Sequence, residues 1–207
     1  MIASLSRRIV VMHAKTRQSA ASFDWRSGME EGAGMTSHYT LSQRLAKLEA
    51  EAEIRRVTAR YFQICDDLGP ETPFEELGNL FSTDARWEGR GRYQAAFGSY
   101  DGRAAIVEMI RGYCLPVPHF AMTAHFFSAE HLIVNDDGCS ARGQWLMLQT
   151  STYADGRCDL RSAALTLIFT IEEDLWRIAH FRTRNLFSRR VDTWNDTAAI
   201  PVPKVES

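Results

Sequence analysis

The sequence predicts an α+β fold in which N-terminal helices pack on a strongly curved antiparallel sheet. Two observations lead to this prediction. Apolar residues recur at intervals of three and four between residues 41 and 68, as they do on one face of a helix. After Pro118, four long strand-like segments follow one another and are separated by three short turns. Helices first and a long sheet afterwards are typical of α+β proteins.

The first part of the chain contains three predicted helices and one short strand. The apolar face of the first helix begins with Leu41, Leu45 and Leu48, and Gly69-Pro70 ends the helix. The other elements are a short helix over residues 73–80, a short strand over residues 86–88 and a third helix over residues 103–113. The glycine-rich stretch before the third helix lacks the Lys-Ser/Thr signature of a phosphate-binding loop.

The predicted sheet is an antiparallel meander of four strands linked by tight turns. The strands cover residues 123–134, 140–152, 159–171 and 175–187. In the third of them, Ala163, Leu165, Leu167 and Phe169 share one face. Residues 145–148 are apolar on both faces, so they must be covered by helices on one side and by a neighbouring subunit on the other. We therefore expect a homo-oligomer, either a dimer or a trimer.

Composition excludes several classes of protein. The 207 residues suffice for one domain, predicted over residues 39–190, with a flexible N-terminal tail over 1–38 and a C-terminal tail over 191–207. A net charge of −2 gives no electrostatic footprint for nucleic acid or an anionic membrane. No apolar run reaches the ~20 residues that span a bilayer. The four cysteines form no Cys-x-x-Cys pair, so we expect reduced thiols and a cytoplasmic location.

Three local patterns resemble the SnoaL-like branch of the nuclear-transport-factor-2-like (NTF2-like) superfamily. They are residues 54–66 followed by LFSTDARW at 80–87, the glycine-started helix YDGRAAI at 100–106, and the acidic turn and strand EDLWRI at 173–178. Their order and spacing match the family from about residue 40 to residue 188. The resemblance implies a cone-shaped α+β fold with an internal pocket.

The same resemblance implies a cofactor-independent lyase of the scytalone dehydratase, bile-acid dehydratase or hexachlorocyclohexane dehydrochlorinase type. In the dehydrochlorinases, a carboxylate late in the first helix orients a histidine at the start of the first long strand. Those places correspond here to Asp66 and His125. Tyr61 matches a substrate-contacting tyrosine of the dehydratases, and Arg182 in the last strand is the candidate for binding the substrate or leaving group.

Two further features follow from the resemblance and the residues around the pair. Trp87 and Phe127 are expected to contact the substrate as pocket wall, with a place in the core as the alternative. Some family members place a second acid–base group near the start of the third long strand, where this chain has Asp159, Leu160, Arg161 and Ser162.

Histidine suits proton transfer because its unperturbed pKa lies near neutrality. A carboxylate on one ring nitrogen fixes the tautomer, and the other nitrogen can then abstract a proton. The alternative is that His125 is a hydrogen-bonded core histidine. Regular helix geometry places Asp66 away from the apolar face, so its catalytic role requires the helix to end or bend near Cys65; Asp67 is the alternative carboxylate.

The other candidates also have structural interpretations. Tyr61 lies on the apolar helix face, so a core position and a functional one are equally supported. Arg182 alternates with His180 and Arg184 on one strand face, which favours a surface or interface position. His119, His125 and His131 follow one another at intervals of six residues, and six residues of strand span about 20 Å, too far for one metal ion, so neither a metal nor a cofactor is predicted.

The leading functional prediction is a dehydratase-like elimination on a small hydrophobic, aromatic or alicyclic hydroxy or keto compound. The alternatives are a formaldehyde-releasing carbon–carbon lyase acting on lignin-derived diarylpropanes and a double-bond isomerase. A non-catalytic ligand-binding or subunit-interaction protein is a further alternative, since this fold serves several purposes. Catalysis requires Asp66 and His125 within hydrogen-bond reach at a closed apolar cavity, whereas a binding protein needs only the cavity.

Overall fold

The computed structural model describes residues 39–114 and 116–194. The predicted N-terminal tail, residues 1–38, and residues 195–207 of the predicted C-terminal tail lie outside the described residues. Within the described ranges, no helix has the length and apolar content needed to cross a lipid bilayer.

Four helices precede or interrupt the strands within the described residues. They are α1 (Leu41–Asp66), α2 (Phe74–Asn79), α3 (Arg92–Phe97) and α4 (Arg103–Arg111). A capping box starts α1, because the Thr40 hydroxyl accepts from the Gln43 backbone N–H and the Gln43 side chain accepts from the Thr40 N–H. Leu41, Leu45 and Leu48 are exposed, since only the later turns of α1, from Ala50 onward, pack on the sheet. The predicted helix is confirmed, but the first residues of its apolar face do not contribute to the core.

In the part of the chain that the structure describes, six strands form one curved, unclosed sheet in the order β2-β1-β6-β5-β4-β3. They are β1 (Phe81–Arg90), β2 (Ser99–Asp101), β3 (Phe120–Val134), β4 (Ser140–Tyr153), β5 (Cys158–Glu172) and β6 (Leu175–Val191). Strands β3 to β6 form the predicted antiparallel meander, and the α+β fold class is confirmed. The sheet as a whole is mixed, because β1 runs parallel to β6.

The glycine-rich stretch before α4 contains secondary structure that the sequence did not predict. Strand β1 extends to Arg90, the stretch then forms α3, and β2 returns antiparallel to β1. Helix α3 lies against β1 and β6. This segment therefore covers part of the sheet rather than looping away from it.

The two faces of the sheet differ in chemistry. The inner face, which the helices cover, contains the predicted alternation of Ala163, Leu165, Leu167 and Phe169, all buried. The outer face has an exposed apolar patch on β3 and β4. We call this the outer patch; it consists of Met122, Phe126, Leu146 and Leu148.

A buried carboxylate, Glu88, lies on the outer face opposite Arg182 in the β1–β6 register. Its side chain is only 4% exposed and accepts hydrogen bonds from Nε of Arg182 at 2.7 Å and from Nε2 of His180 at 3.0 Å. Nη2 of Arg90 lies 3.0 Å from the second oxygen. Burial raises the pKa of Glu88, but the hydrogen bonds from Arg182 and Arg90 outweigh burial and lower this pKa from 4.5 to about 2.

This lowered pKa predicts an acid-sensitive contribution to stability. The contribution is complete above the unfolded-state pKa near 4.5 and is lost as the pH falls towards 2. Unscreened, it would be about 3 kcal/mol, but the arginine partners are 42% and 46% exposed, so we expect about 1–2 kcal/mol.

Urea unfolding of wild type and Glu88→Gln at pH 7 and pH 3 measures this contribution. The difference in unfolding free energy between the two proteins should shrink at pH 3. Exposed Glu108 provides the control, because Glu108→Gln should give the same small difference at both pH values. A Glu88→Gln difference that does not change with pH would contradict the prediction.

Candidate active site

A cavity of about 460 Å³ lies between the helices and the inner face of the sheet. Most of its wall is apolar and aromatic. The aromatic lining residues are Tyr61, Phe62, Trp87, Tyr93, Phe97, Tyr113, Phe120 and Phe181. The polar lining residues are Arg92, His119, Thr123, His125, Gln149, Arg161, Thr183, Asn185 and Ser188. Such a cavity suits a small, mainly apolar ligand with a few polar groups.

Asp66 and His125 meet at this cavity. Helix α1 ends at Asp66, and Asp67 has left the helical conformation (φ −120°, ψ 40°). One Asp66 oxygen lies 2.5 Å from Nδ1 of His125, and the other accepts the backbone N–H of His125 at 3.3 Å. Asp67 is exposed. Asp66 is therefore the carboxylate that holds the histidine, through both its ring and its backbone.

This arrangement determines which ring nitrogen of His125 is available. The carboxylate can only accept, so it favours a proton on Nδ1 and leaves the lone pair on Nε2. The His125 side chain is 11% exposed and its ring centroid lies 5.2 Å from that of Phe62. Because the residue lines the cavity, the site can provide a base in an apolar setting.

Tyr61 and Trp87 lie deeper in the wall. The indole Nε1 of Trp87 donates to the Tyr61 hydroxyl at 3.3 Å, and the Trp87 ring stacks on Phe181 at 5.6 Å. Burial raises the pKa of Tyr61 well above its usual value, so this residue stays a neutral phenol. Both predicted residues line the cavity, where a phenol can donate to a ligand oxygen.

Two predicted substrate-binding residues do not line the cavity. Arg182 projects to the outer face and bonds Glu88, because its neighbours Phe181 and Thr183 are the residues that face inward. Phe127 packs on Phe62 at 4.2 Å between ring centroids. It lies two residues after His125 along β3, and it is 37% exposed. The geometry of the cavity therefore does not support Arg182 and Phe127 as substrate contacts.

A polar row crosses the cavity floor, and the sequence had indicated only two of its members, His125 and, within the stretch 159–162, Arg161. In the sheet register, His125 pairs with Gln149, Gln149 with Arg161, and Arg161 with Ser188. All four line the cavity. A signal was available for Arg161, because it lies two residues before Ala163 on the predicted inner face of β5.

Gln149 is held in one orientation beside His125. Its Nε2 donates to the Thr123 hydroxyl at 3.2 Å and to the Ser151 hydroxyl at 3.1 Å, while these hydroxyls bond each other at 3.2 Å. The hydrogen bond between the two hydroxyls uses one of their two protons. Only one proton would then remain to donate to the Gln149 side chain, whereas both hydroxyl oxygens can accept from its amide protons. This leaves Oε1 of Gln149 outside these hydrogen bonds, on the residue that pairs with His125 in the β3–β4 register.

Metal-binding geometry is not found in the described ranges. No group of three or more His, Cys, Asp or Glu side chains there could hold a metal ion. His119 contacts the rings of Tyr113, Phe120 and Tyr153 instead.

A family model for the SnoaL-like domain matches residues 46–182, about two thirds of the chain. The chain belongs to the SnoaL-like family. No curated protein sequence matches it. The matched residues include the end of α1, the strand that carries His125 and the greater part of the meander, so the resemblance read from the sequence is confirmed.

Solved structures similar to this SnoaL-like protein have the NTF2-like fold. A hexachlorocyclohexane dehydrochlorinase from Novosphingobium barchaimii superposes with a TM-score of 0.60 at 15% identity, covering 78% of this chain and 99% of that one. A scytalone dehydratase-like protein from Novosphingobium aromaticivorans gives 0.59 at 17% identity, with 81% and 100% covered.

A third similar structure is described only by its fold. It is an NTF2-like protein with a cystatin-like fold, also from Novosphingobium aromaticivorans, with a TM-score of 0.55 at 24% identity and 74% and 92% covered. At these identities the likenesses establish the fold, and the reaction has to be argued from the site.

Proposed function

We propose that this SnoaL-like protein is a cofactor-independent lyase. Its substrate is a small hydrophobic, aromatic or alicyclic hydroxy or keto compound, and loss of water is the leading reaction. The observation that carries this proposal is the contact between Asp66 and His125 at an apolar cavity of about 460 Å³. A binding protein would need the cavity but would have no use for a base held by a carboxylate.

The proposed reaction moves one proton and one leaving group. Nε2 of His125 removes a proton from a carbon next to a carbonyl or an aromatic ring. The electron pair of that C–H bond forms the new double bond as the C–O bond breaks. The leaving hydroxyl takes the proton back from His125 and departs as water, so neither an oxidant nor a cofactor is required. Asp66 stabilises the transient imidazolium.

Tyr61 has a supporting role in this proposal. Its neutral hydroxyl, polarised by the N–H of Trp87, donates to the substrate oxygen that gains charge as the proton leaves. The aromatic wall binds the ring of the substrate.

The outer patch is the surface on which the predicted homo-oligomer would assemble, and this oligomer stays a prediction.

Mass spectrometry in D₂O, with a chelator present, tests the function. Wild type and His125→Ala are incubated with cyclic β-hydroxy ketones, sterol-like alcohols and diarylpropane diols. We expect product or deuterium incorporation with the wild type and none above buffer with His125→Ala. Loss of water identifies a dehydratase, loss of formaldehyde a carbon–carbon lyase, and deuterium without fragment loss an isomerase. Equal activity of the two proteins would refute the proposal.

A further inference from the structure

The ionisable groups that line the cavity are unusually one-sided. Apart from tyrosines and one thiol, the lining side chains that can ionise are Arg92, Arg161, His119 and His125. Among the described residues that line the cavity, none is an Asp or a Glu. A ligand therefore meets only arginine cations, histidines and neutral groups, although the protein as a whole has a net charge of −2.

Two carboxylates, Asp66 and Asp159, hydrogen-bond a nitrogen-containing side chain of the cavity lining without lining the cavity themselves. Asp66 holds Nδ1 of His125, as described above. Asp159 accepts from Nε of Arg161 at 2.7 Å and from the hydroxyl of Tyr153 at 2.8 Å. Tyr153 in turn accepts from Nη2 of Arg161. The guanidinium is thus fixed from the side away from the ligand, as the imidazole is.

Arg161 keeps donor capacity for a ligand. Its hydrogen bonds within the described residues use Nε and Nη2, which leaves the two protons of Nη1. The side chain is 22% exposed, and the aromatic wall excludes much of the solvent around it. Burial lowers the pKa of Arg161, but Tyr153 and Asp159 outweigh burial and raise it, so the group remains a cation. In such surroundings a charge-assisted hydrogen bond is stronger than at the surface.

We propose that the substrate of this site is a ring compound bearing a carboxylate, and that Arg161 binds this carboxylate while His125 faces the carbon that loses its proton. The two residues lie two strands apart in one cross-strand row, about 10 Å between backbones. A carboxylate on a one- or two-ring skeleton spans that row. The inference rests on the proposed function, and it assigns to Arg161 the anchoring role that Arg182 cannot have.

Calorimetric titration with a matched pair of ligands tests this inference without turnover. The probes are 2-naphthoate and its neutral isostere 2-naphthamide. We expect the wild type to bind naphthoate at least about tenfold more tightly than naphthamide. Arg161→Gln should remove this preference while keeping the naphthamide affinity, and Arg161→Lys should restore part of it.

Three further variants complete the test. Arg142→Gln removes the same charge from an exposed position on β4 and should leave both affinities unchanged. Arg92→Gln is a competing test rather than a control, because Arg92 is the other arginine of the cavity lining; we expect this variant to retain the preference. The double variant Arg161→Gln/Asp159→Asn removes both charges together, so it avoids leaving a buried carboxylate unpaired if Arg161→Gln unfolds.

Several outcomes would overturn the inference. They are equal affinities of the wild type for the two ligands, absence of naphthoate binding at millimolar concentration, a preference that survives in Arg161→Gln and in the double variant, and a preference lost in Arg92→Gln instead. None of these outcomes depends on catalysis. A protein that prefers naphthoate but exchanges no deuterium with any of the candidate substrates would refute the proposed function, and with it the role of His125, while Arg161 would remain the carboxylate-binding residue of the cavity.

Discussion

Replacing Asp66 by asparagine is expected to lower the turnover number about 10²–10⁴-fold. The carboxylate accepts from Nδ1 of His125 at 2.5 Å and from the His125 backbone N–H at 3.3 Å. Asparagine can retain one of these contacts, but its amide can also donate to Nδ1. Donation would favour the tautomer that carries its proton on Nε2, and that tautomer cannot accept a proton from the substrate.

The loss should appear in kcat rather than in KM. Asp66 is not among the residues that line the cavity, so the substrate does not touch it. Its effect on the reaction passes through His125, by orientation and by stabilising the imidazolium with its negative charge. A variant that merely damaged the cavity would weaken substrate binding as well.

Asp67→Asn is the matched control, because this neighbouring carboxylate is exposed and has the same change in charge and shape. Steady-state kinetics on whichever substrate the wild type converts, together with deuterium exchange rates, give the comparison. We expect Asp67→Asn to be indistinguishable from wild type. Equal losses in both variants, or a loss confined to Asp67→Asn, would show that the histidine does not depend on Asp66.

The sequence allowed the pair to be found, although a regular helix argued against it. Helical periodicity directs Asp66 away from the face formed by residues such as Tyr61 and Ile64. The conflict disappears because Asp66 is the last residue of α1, and the helix end packs on β3, which carries His125. Gly69-Pro70 predicted the end of the helix to within a few residues. Only the tertiary packing determined which of Asp66 and Asp67 contacts His125.

The residues of β6 that face the cavity could not be predicted by counting alternate residues in the sequence. Alternation holds from Phe181 through Thr183 to Asn185, all of which line the cavity. A bulge then opposes Asn185 to Ala163 and Phe187 to Ser162, so that Leu186 is the extra residue and Ser188 returns to the cavity. Bulges depend on the neighbouring strand, and local propensity does not reveal them. The parallel pairing of β1 with β6 is likewise a contact between distant segments.

The role of the glycine-rich stretch is also tertiary, and it gives the second large expected effect. Along β1, Trp87 faces the cavity, Glu88 faces outward and Gly89 faces inward again, beneath α3. The backbone N–H of Gly89 donates to the carbonyl of Gly98 at 2.9 Å, which ties down the end of α3. A Cβ at position 89 would lie 2.3 Å from the carbonyl oxygen of Tyr93 and 2.6 Å from its carbonyl carbon.

Gly89→Ala is therefore expected to lower the unfolding free energy by about 1–3 kcal/mol. The clash is with backbone, so no side-chain rotation relieves it and α3 has to move away from β1. Since α3 carries Tyr93 and Phe97 of the cavity wall, binding of 2-naphthamide should weaken as well. Urea unfolding followed by circular dichroism, and calorimetric titration of the folded variant, measure the two effects.

Gly69→Ala separates this steric effect from the general consequences of replacing a glycine. No atom lies within 4 Å of a Cβ built at Gly69, and its backbone N–H can keep donating to the Thr72 hydroxyl. Alanine there reduces the entropy of the unfolded chain, so its effect should be small or slightly stabilising. If Gly89→Ala proved as stable as Gly69→Ala and bound 2-naphthamide like wild type, α3 could not be seated on β1 as closely as the structure has it. The position of α3 over the cavity would then depend on its side-chain contacts and not on the missing side chain of Gly89.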